Sequence, residues 1–440
     1  MARVVIVGGG YGGLASAVRL AKLGHDVTLV EASETLGGAL TSVSEDGFTW
    51  DAGPDALLVP AVVRDLFRKS GRPLGSELGL EGDDGLAPRE MVREHRFADK
   101  TVLRLPGGSR RAQVEAFEGL SPGLGAQWDE YVHDYEEVWD LLRRHYFEEP
   151  WQPGALPKDV GRLFGSRDVL YKHLKRIFRD DRPATVAAHT FVADGHDLRN
   201  VPTWAGVVTY LGQCFGAWTL PGGLHGLRDL LAARLATRGV TVLVGTPVRD
   251  IEVRGGRAVA VSTTRGGEIP ADVVVCAVDP RRMPALASYV ERTMPAIPPV
   301  VTHLGLTGDV PDLPHETVLH GDPMLVIRPG GQAPDGCTAW TLHGRGRLAE
   351  DMLRVLARAK IDVRDNVVAR IDRSPRELVT DWGGSPHGVL WQGRHTVRQR
   401  LGPRTPVEGV YAVGAHATPG AGMAYVGLGA ALVATEVGPA

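Results

Sequence analysis

Cysteine, excess charge and long apolar runs are all scarce in this chain, and each scarcity closes off a class of function. Only Cys214, Cys276 and Cys337 occur among 440 residues. They are odd in number, widely spaced and set in apolar or loop contexts, so neither a disulfide framework nor a zinc site is expected. No cluster of His, Cys, Asp and Glu has the spacing of metal ligands, and no metal is expected. Lys and Arg number 49 against 52 Asp and Glu, a net charge of −3, which gives no electrostatic reason to expect nucleic acid as a partner. No apolar run reaches the roughly 18 residues needed to cross a bilayer, and the N-terminal residues pass directly into a strand without a leader pattern. A cytoplasmic protein is the expectation. Its length suggests about two or three domains.

Glycine, by contrast, is abundant, and its placement carries the information. Residues 3–31 read RVVIVGGGYGGLASAVRLAKLGHDVTLVE: a β-branched strand, a glycine turn, a helix and a second strand closed by an acid. Gly8, Gly10 and Gly13 form G-x-G-x-x-G. Gly8 permits the tight turn, Gly10 lets backbone approach a pyrophosphate, and Gly13 lets helix pack on strand. Gly12 lies in the same first turn of the helix, whose N-terminus favours an anion. Glu31 follows Gly10 by about 21 positions, where a carboxylate accepts hydrogen bonds from ribose hydroxyls and repels a 2′-phosphate. The ligand expected is an adenine dinucleotide without that phosphate.

Beyond Glu31 come Leu36-Gly37-Gly38-Ala39-Leu40 and then Trp50-Asp51-Ala52-Gly53-Pro54-Asp55. A G-G-R-type turn followed by D-x-G-P, after such an N-terminal unit, resembles the FAD-dependent flavoproteins of the phytoene desaturase and amine oxidase superfamily. The resemblance implies that Gly37, Gly38, Ala39, Gly53 and Pro54 meet the cofactor. Ala39 stands where that family usually has Arg, and Asp55 where its phytoene desaturase branch has Ser or Thr. Asp55 is a candidate acid or base beside the flavin ring; the other reading is a turn aspartate bonded to its own backbone.

From about residue 74 to 202 the strand–helix alternation gives way to a more aromatic stretch. Trp128, Tyr131, Val132, Tyr135, Val138, Trp139 and Leu142 recur at helical spacing, as plain core or as the wall of a tunnel for a long apolar substrate. Residues 167–179, opening on Arg167 and closing on Arg179, form a basic amphipathic helix. It either touches an anionic membrane surface peripherally or packs on its own domain with a solvated basic face. Phe215-Gly216-Ala217-Trp218 and Pro221-Gly222-Gly223 resemble the family's return from substrate domain to FAD domain, which implies that the Val248 backbone meets the adenine. No further nucleotide turn appears between residues 281 and 394, so a built-in NADPH site is not expected.

Residues 409–440, GVYAVGAHATPGAGMAYVGLGAALVATEVGPA, resemble the C-terminal signature of bacterial phytoene desaturases, a strand, then G-A-x-x-x-P-G-A-G and a small-residue helix. Gly414, Ala415, Gly420, Gly422 and Met423 are thereby implied to line the flavin, with the helix N-terminus at its O2 and N1 edge favouring the reduced, anionic form. His416 is the second candidate for acid–base work; the other reading is a hydrogen-bonding member of the loop. The fold expected is α/β, a Rossmann-like FAD-binding domain (residues 1–73, 203–280 and 395–440) with an inserted α+β substrate domain (residues 74–202 and 281–394). FAD is the one cofactor expected. The reaction implied is dehydrogenation of an apolar, isoprenoid or carotenoid-like small molecule, with electrons passing to oxygen or a quinone. A flavin amine oxidase, a redox-neutral carotenoid isomerase and a non-catalytic flavin-binding protein remain open.

Overall fold

The computed structural model describes residues 1–80, 85–150 and 155–440. A parallel sheet carries the N-terminal motif. Its order is Val410–Ala412, Val273–Cys276, Arg3–Val7, Asp26–Val30 and Thr241–Leu243, so the first strand in sequence lies at the centre and the last strand at one edge. Such strands are covered on both faces, which explains why they read as unbroken apolar runs rather than alternating ones. Alternation survives in where the side chains go. Val4 and Ile6 enter a core with the helices Tyr11–Lys22, Gly226–Thr237 and Met423–Val437. Val5 and Val7 enter a second core beneath the antiparallel strands Val248–Arg254, Arg257–Thr263 and Gly267–Pro270. The result is three layers, helix, parallel sheet and small antiparallel sheet. Gly24, at φ +95°, turns the chain out of the first helix into the second strand.

A larger mixed sheet has the order Val367–Arg373, Val300–Thr307, Cys337–Arg345, Met324–Pro329, Thr317–Leu319, Met91–Arg96 and Val102–Pro106. All its neighbours are antiparallel except Thr317–Leu319 beside Met91–Arg96. One face buries Leu304, Ile327, Trp340 and Leu342 against the helix Met352–Arg358. The hairpin Ser42–Glu45 and Phe48–Asp51 lies on this sheet as well: Trp50 is fully buried and its indole N–H donates to the Leu304 carbonyl at 3.2 Å. Gly305 makes room for it, since a Cβ there would meet the Phe48 ring at 2.6 Å.

A helical cluster packs on the mixed sheet at Val92, Leu103 and Leu105 and reaches Tyr425 and Leu428 of the helix Met423–Val437. Trp128, Tyr131, Val132, Tyr135 and Leu142 are buried within it, so most of the aromatic stripe is core; Val138 and Trp139 are half-buried at its margin. Within residues 167–179 the helix is Leu170–Ile177, and Leu170, Leu174 and Phe178 are buried in the same cluster. The apolar face that a bilayer would need is therefore spent inside the protein, and Lys172, Lys175, Arg176 and Arg179 face solvent. Among the described residues no helix is long and apolar enough to cross a membrane.

Candidate functional site

The parallel strands end at a set of glycine turns, and backbone crowding there follows a pattern. A Cβ on Gly13 would lie 1.9 Å from the Gly8 carbonyl oxygen, and one on Gly8, at φ +102°, 2.6 Å from Val278. Both positions are closed by the protein itself. Gly10 is the exception: nothing approaches its Cβ position nearer than the Gly37 oxygen at 4.0 Å. Gly10 is also the N-cap of the helix Tyr11–Lys22 without any side-chain cap. Open space and unsatisfied N–H groups at one place form an anion cradle.

Glu31 is held at the rim of this cradle. Its carboxylate accepts from the Gly9 N–H at 2.6 Å and from the Ser33 N–H and hydroxyl, both at 2.8 Å. Its carbonyl accepts from the Thr246 N–H at 2.8 Å, which hangs the approach to Val248 beside it. The next turn is stitched on by the Gly37 N–H, which donates to the Gly9 carbonyl at 2.9 Å, while Gly38 passes close to Gly10. Gly53 must be glycine, since a Cβ would lie 2.3 Å from the Ala39 oxygen. Asp51 ties this region to another segment by accepting from the His225 N–H at 2.9 Å and pairing with its ring at 2.7 Å. Pro54 follows at the half-buried surface of the same turn.

The C-terminal turn reaches the first one directly: a Cβ on Gly12 would sit 3.2 Å from Gly414 and from Val426. The turn runs from Gly414 to Gly422, which at φ +102° is the N-cap of Met423–Val437 and again has no side-chain cap. Gly388 lies against it, its Cβ position 2.1 Å from the Ala415 oxygen. Two uncapped helix ends and the open side of Gly10 thus converge on one region. That donor set, with a carboxylate at the rim, fits an adenine dinucleotide.

Asp55 and His416 have protein partners. Asp55 accepts from Arg89 at 3.0 Å and lies 3.4 Å from Arg328, with its carbonyl accepting from Arg89 at 2.8 Å. It is an ion-paired carboxylate, not a turn aspartate bonded to its own backbone. Arg328 also binds Glu316 at 2.9 Å, which Arg93 meets at 2.8 Å. Burial alone would raise the Glu316 carboxyl; Arg93 and Arg328, with His189, hold it well below the usual range. His416 is 7% exposed, and its Nδ1 lies 3.1 Å from Arg281, itself forked onto Asp279. Burial pushes this imidazole down to about 4. This ring is packed among Arg281, Asp279 and Gly384 beside the turn, and among the described residues its Nε2 has no hydrogen-bond partner.

Several residues that shape the site were silent in the sequence. Arg89, Arg281, Arg328, Gly388 and Arg400 come from segments without a motif, and only their contacts identify them. Cysteine takes no part: Cys276 is buried, its thiol pushed up to about 12 by burial, and all three are free. The described residues contain no group of side chains suited to a metal ion.

Comparison with known proteins agrees with this architecture. The 4,4′-diapolycopene oxygenase of Methylomonas sp. is 24% identical over 99% of this chain and 98% of its own. The hydroxyneurosporene desaturase of Cereibacter sphaeroides is 28% identical over 96% and 94%. Among solved structures, the cyclohexylamine oxidase of Brevibacterium oxydans superimposes with a TM-score of 0.68 at 17% identity, covering 99% of each chain; at that identity the likeness speaks for the fold. The sequence profile described as flavin containing amine oxidoreductase matches residues 11–426. The chain belongs to that family of FAD-dependent redox enzymes.

Proposed function

We propose that this enzyme binds FAD along residues Gly8, Gly10, Gly12, Gly13, Glu31, Gly37, Gly38, Ala39, Gly53, Pro54, Val248, Gly414, Ala415, Gly420, Gly422 and Met423, and dehydrogenates an apolar, isoprenoid-like substrate. The observation that carries the substrate class is a half-buried apolar cluster. Val59, Val62 and Leu211 are buried, while Trp139, Tyr210, Phe215, Tyr425 and Leu428 remain partly open around them. Tyr425 and Leu428 belong to the helix that Gly422 caps, so this wall begins within one turn of the cofactor loop.

Bound flavin would supply hydride acceptance from carbon. The chain's own residues bind and orient: the two uncapped helix termini place partial positive charge at the cofactor's anionic parts, and Glu31 selects a dinucleotide with a free 2′-hydroxyl. Asp55 enters this reading as the carboxylate beside the site that Arg89 and Arg328 fix in place, and His416 as a support of the C-terminal turn. The domains follow the chain as 1–73, 203–280 and 395–440 around the cofactor, with 74–202 and 281–394 around the substrate. The names of the carotenoid-acting relatives support the same substrate class.

Anaerobic mixing of the flavin-loaded protein with polyenes, prenyl lipids and amines, followed at the visible flavin band, tests the proposal. Bleaching by a polyene or prenyl lipid is the expected result. Bleaching only by amines makes the enzyme an amine oxidase, and no bleaching with FAD firmly bound makes it an isomerase or a non-catalytic flavoprotein.

A further inference from the structure

Arg400 presents an electrostatic problem that the protein alone does not solve. It is 7% exposed, and its guanidinium lies 4.8 Å above the Trp391 ring. Nη1 donates to the Pro419 carbonyl at 3.2 Å and Nη2 to the Val389 carbonyl at 3.3 Å, while Nε–H has no acceptor among the described residues. Among the described residues no carboxylate pairs with it; Tyr146 is the neighbour that favours its charge, and the imidazoles of His416 and His196 are held down in part by that same charge. The other arginines placed around the site have a carboxylate partner: Arg89 and Arg328 have Asp55, Arg93 has Glu316, and Arg281 has Asp279. A guanidinium buried without a counter-ion is costly, and an anion brought to face it removes that cost.

Its position names that anion. Arg400 packs against the C-terminal turn itself, with Nη1 2.9 Å from where a Cβ on Gly420 would stand. Gly422, two residues on, is the uncapped start of a helix of 15 residues, whose free N–H groups add positive potential from the same turn. A fixed cation and a helix N-terminus therefore act on one turn, and Ala415 brings no negative side chain to it. We propose that Arg400 is the fixed positive charge against which this turn stabilises the negative charge of the reduced cofactor. It is a positioning residue for redox potential and touches no reacting atom. This rests on the reading that flavin lies along residues 414–422.

Sulfite affinity tests it, because sulfite adds to the oxidised flavin, leaves it negatively charged and bleaches the visible band without any substrate. FAD retention after purification first decides the underlying reading: a wild-type protein that holds no FAD overturns that reading and this inference with it. With FAD bound, Arg400→Gln weakens sulfite binding by about tenfold or more, equivalent to about 30 mV for a two-electron couple, and lowers the measured flavin potential in step. Sulfite affinity and potential within twofold and a few millivolts of wild type overturn the inference while leaving the flavin assignment standing. Should the Gln variant not fold, Arg400→Lys decides. It makes the buried charge titratable, so sulfite affinity falls below that of the wild type as pH is raised from about 7 to 10.5. Overlay of the two profiles throughout overturns the inference. A residue serving only to tether the turn would move thermal stability and leave both readouts unchanged.

Discussion

The two glycine turns at the ends of the parallel strands bind the same region in different ways. The first, around Gly8 to Gly13, is closed by backbone against backbone: Gly13 on the Gly8 oxygen, and the Gly37 N–H on the Gly9 carbonyl. The second, Gly414 to Gly422, is propped by buried side chains from elsewhere, Arg281 on His416 and Arg400 on Pro419, with Tyr146 also reaching the Pro419 carbonyl at 3.4 Å. A turn of the first kind writes its requirements into its own residues. A turn of the second kind distributes them over the chain, and with them it acquires buried arginines, where the first turn has the carboxylate of Glu31.

Gly13→Val is the severest way to break the first turn. A Cβ that would stand 1.9 Å from a backbone oxygen can be relieved only by moving helix from strand, at a cost of about 3 kcal/mol or more. We expect a large drop in melting temperature and purification without flavin; a variant that melts and loads like wild type would show that the close packing is dispensable.

At the second turn the counterpart is Arg281→Met. It strands Asp279, whose side chain is 11% exposed, and frees His416, for a destabilisation of about 2–3 kcal/mol. Chemical denaturation should show it as a lowered midpoint with an unchanged slope. Equal stability of variant and wild type would mean that the turn holds itself, as the first one does.

Glu31→Gln tests binding at the first turn with little structural disturbance. The amide keeps the shape and loses charge-assisted acceptance from Gly9 and Ser33 and from ribose, about 1.5 kcal/mol, or roughly tenfold in the dissociation constant for FAD. Titration of apoprotein with FAD measures this. An unchanged constant places the ribose elsewhere.

Acid sharpens the contrast most gently. Burial, the leading cause in each case, pushes His416, His196 and His303 down to about 4 from the ordinary 6.5. Above about pH 6.5 each is neutral both folded and unfolded, so its contribution is full. As pH falls towards 4 the unfolded chain binds protons that the folded one refuses, and stability drops by up to about 1.4 kcal/mol per pH unit for each proton. His416→Asn should reduce that slope by one proton's share in melting experiments between about pH 6.5 and 4. A slope identical to wild type would show that this ring is not held neutral by the fold.

The legible parts of the molecule are those whose cause is local. The strand and helix of the first motif, the Gly24 cap and the helix beginning at Met423 follow from residues adjacent in sequence, and the structure has them at 3–7, 11–22 and 423–437. The apolar face of residues 167–179 was equally legible as a pattern, yet its destination was not: periodicity says that Leu170 and Leu174 share a face and is silent on whether protein or lipid covers it. Asp55 likewise offered a turn or a catalytic carboxylate. Its partners Arg89 and Arg328 lie 34 and 273 positions away, beyond anything a motif can encode.

What the sequence by itself determined is the local frame of the first motif and of the C-terminal helix, because glycine spacing, a terminal carboxylate and apolar runs fix local backbone geometry wherever they occur. What only the tertiary structure decided is the electrostatic setting of the site. Burial and pairing depend on which distant segments meet, and the same arginine is an ordinary surface cation or, as at residue 400, an unpaired buried charge according to what the fold lays against it.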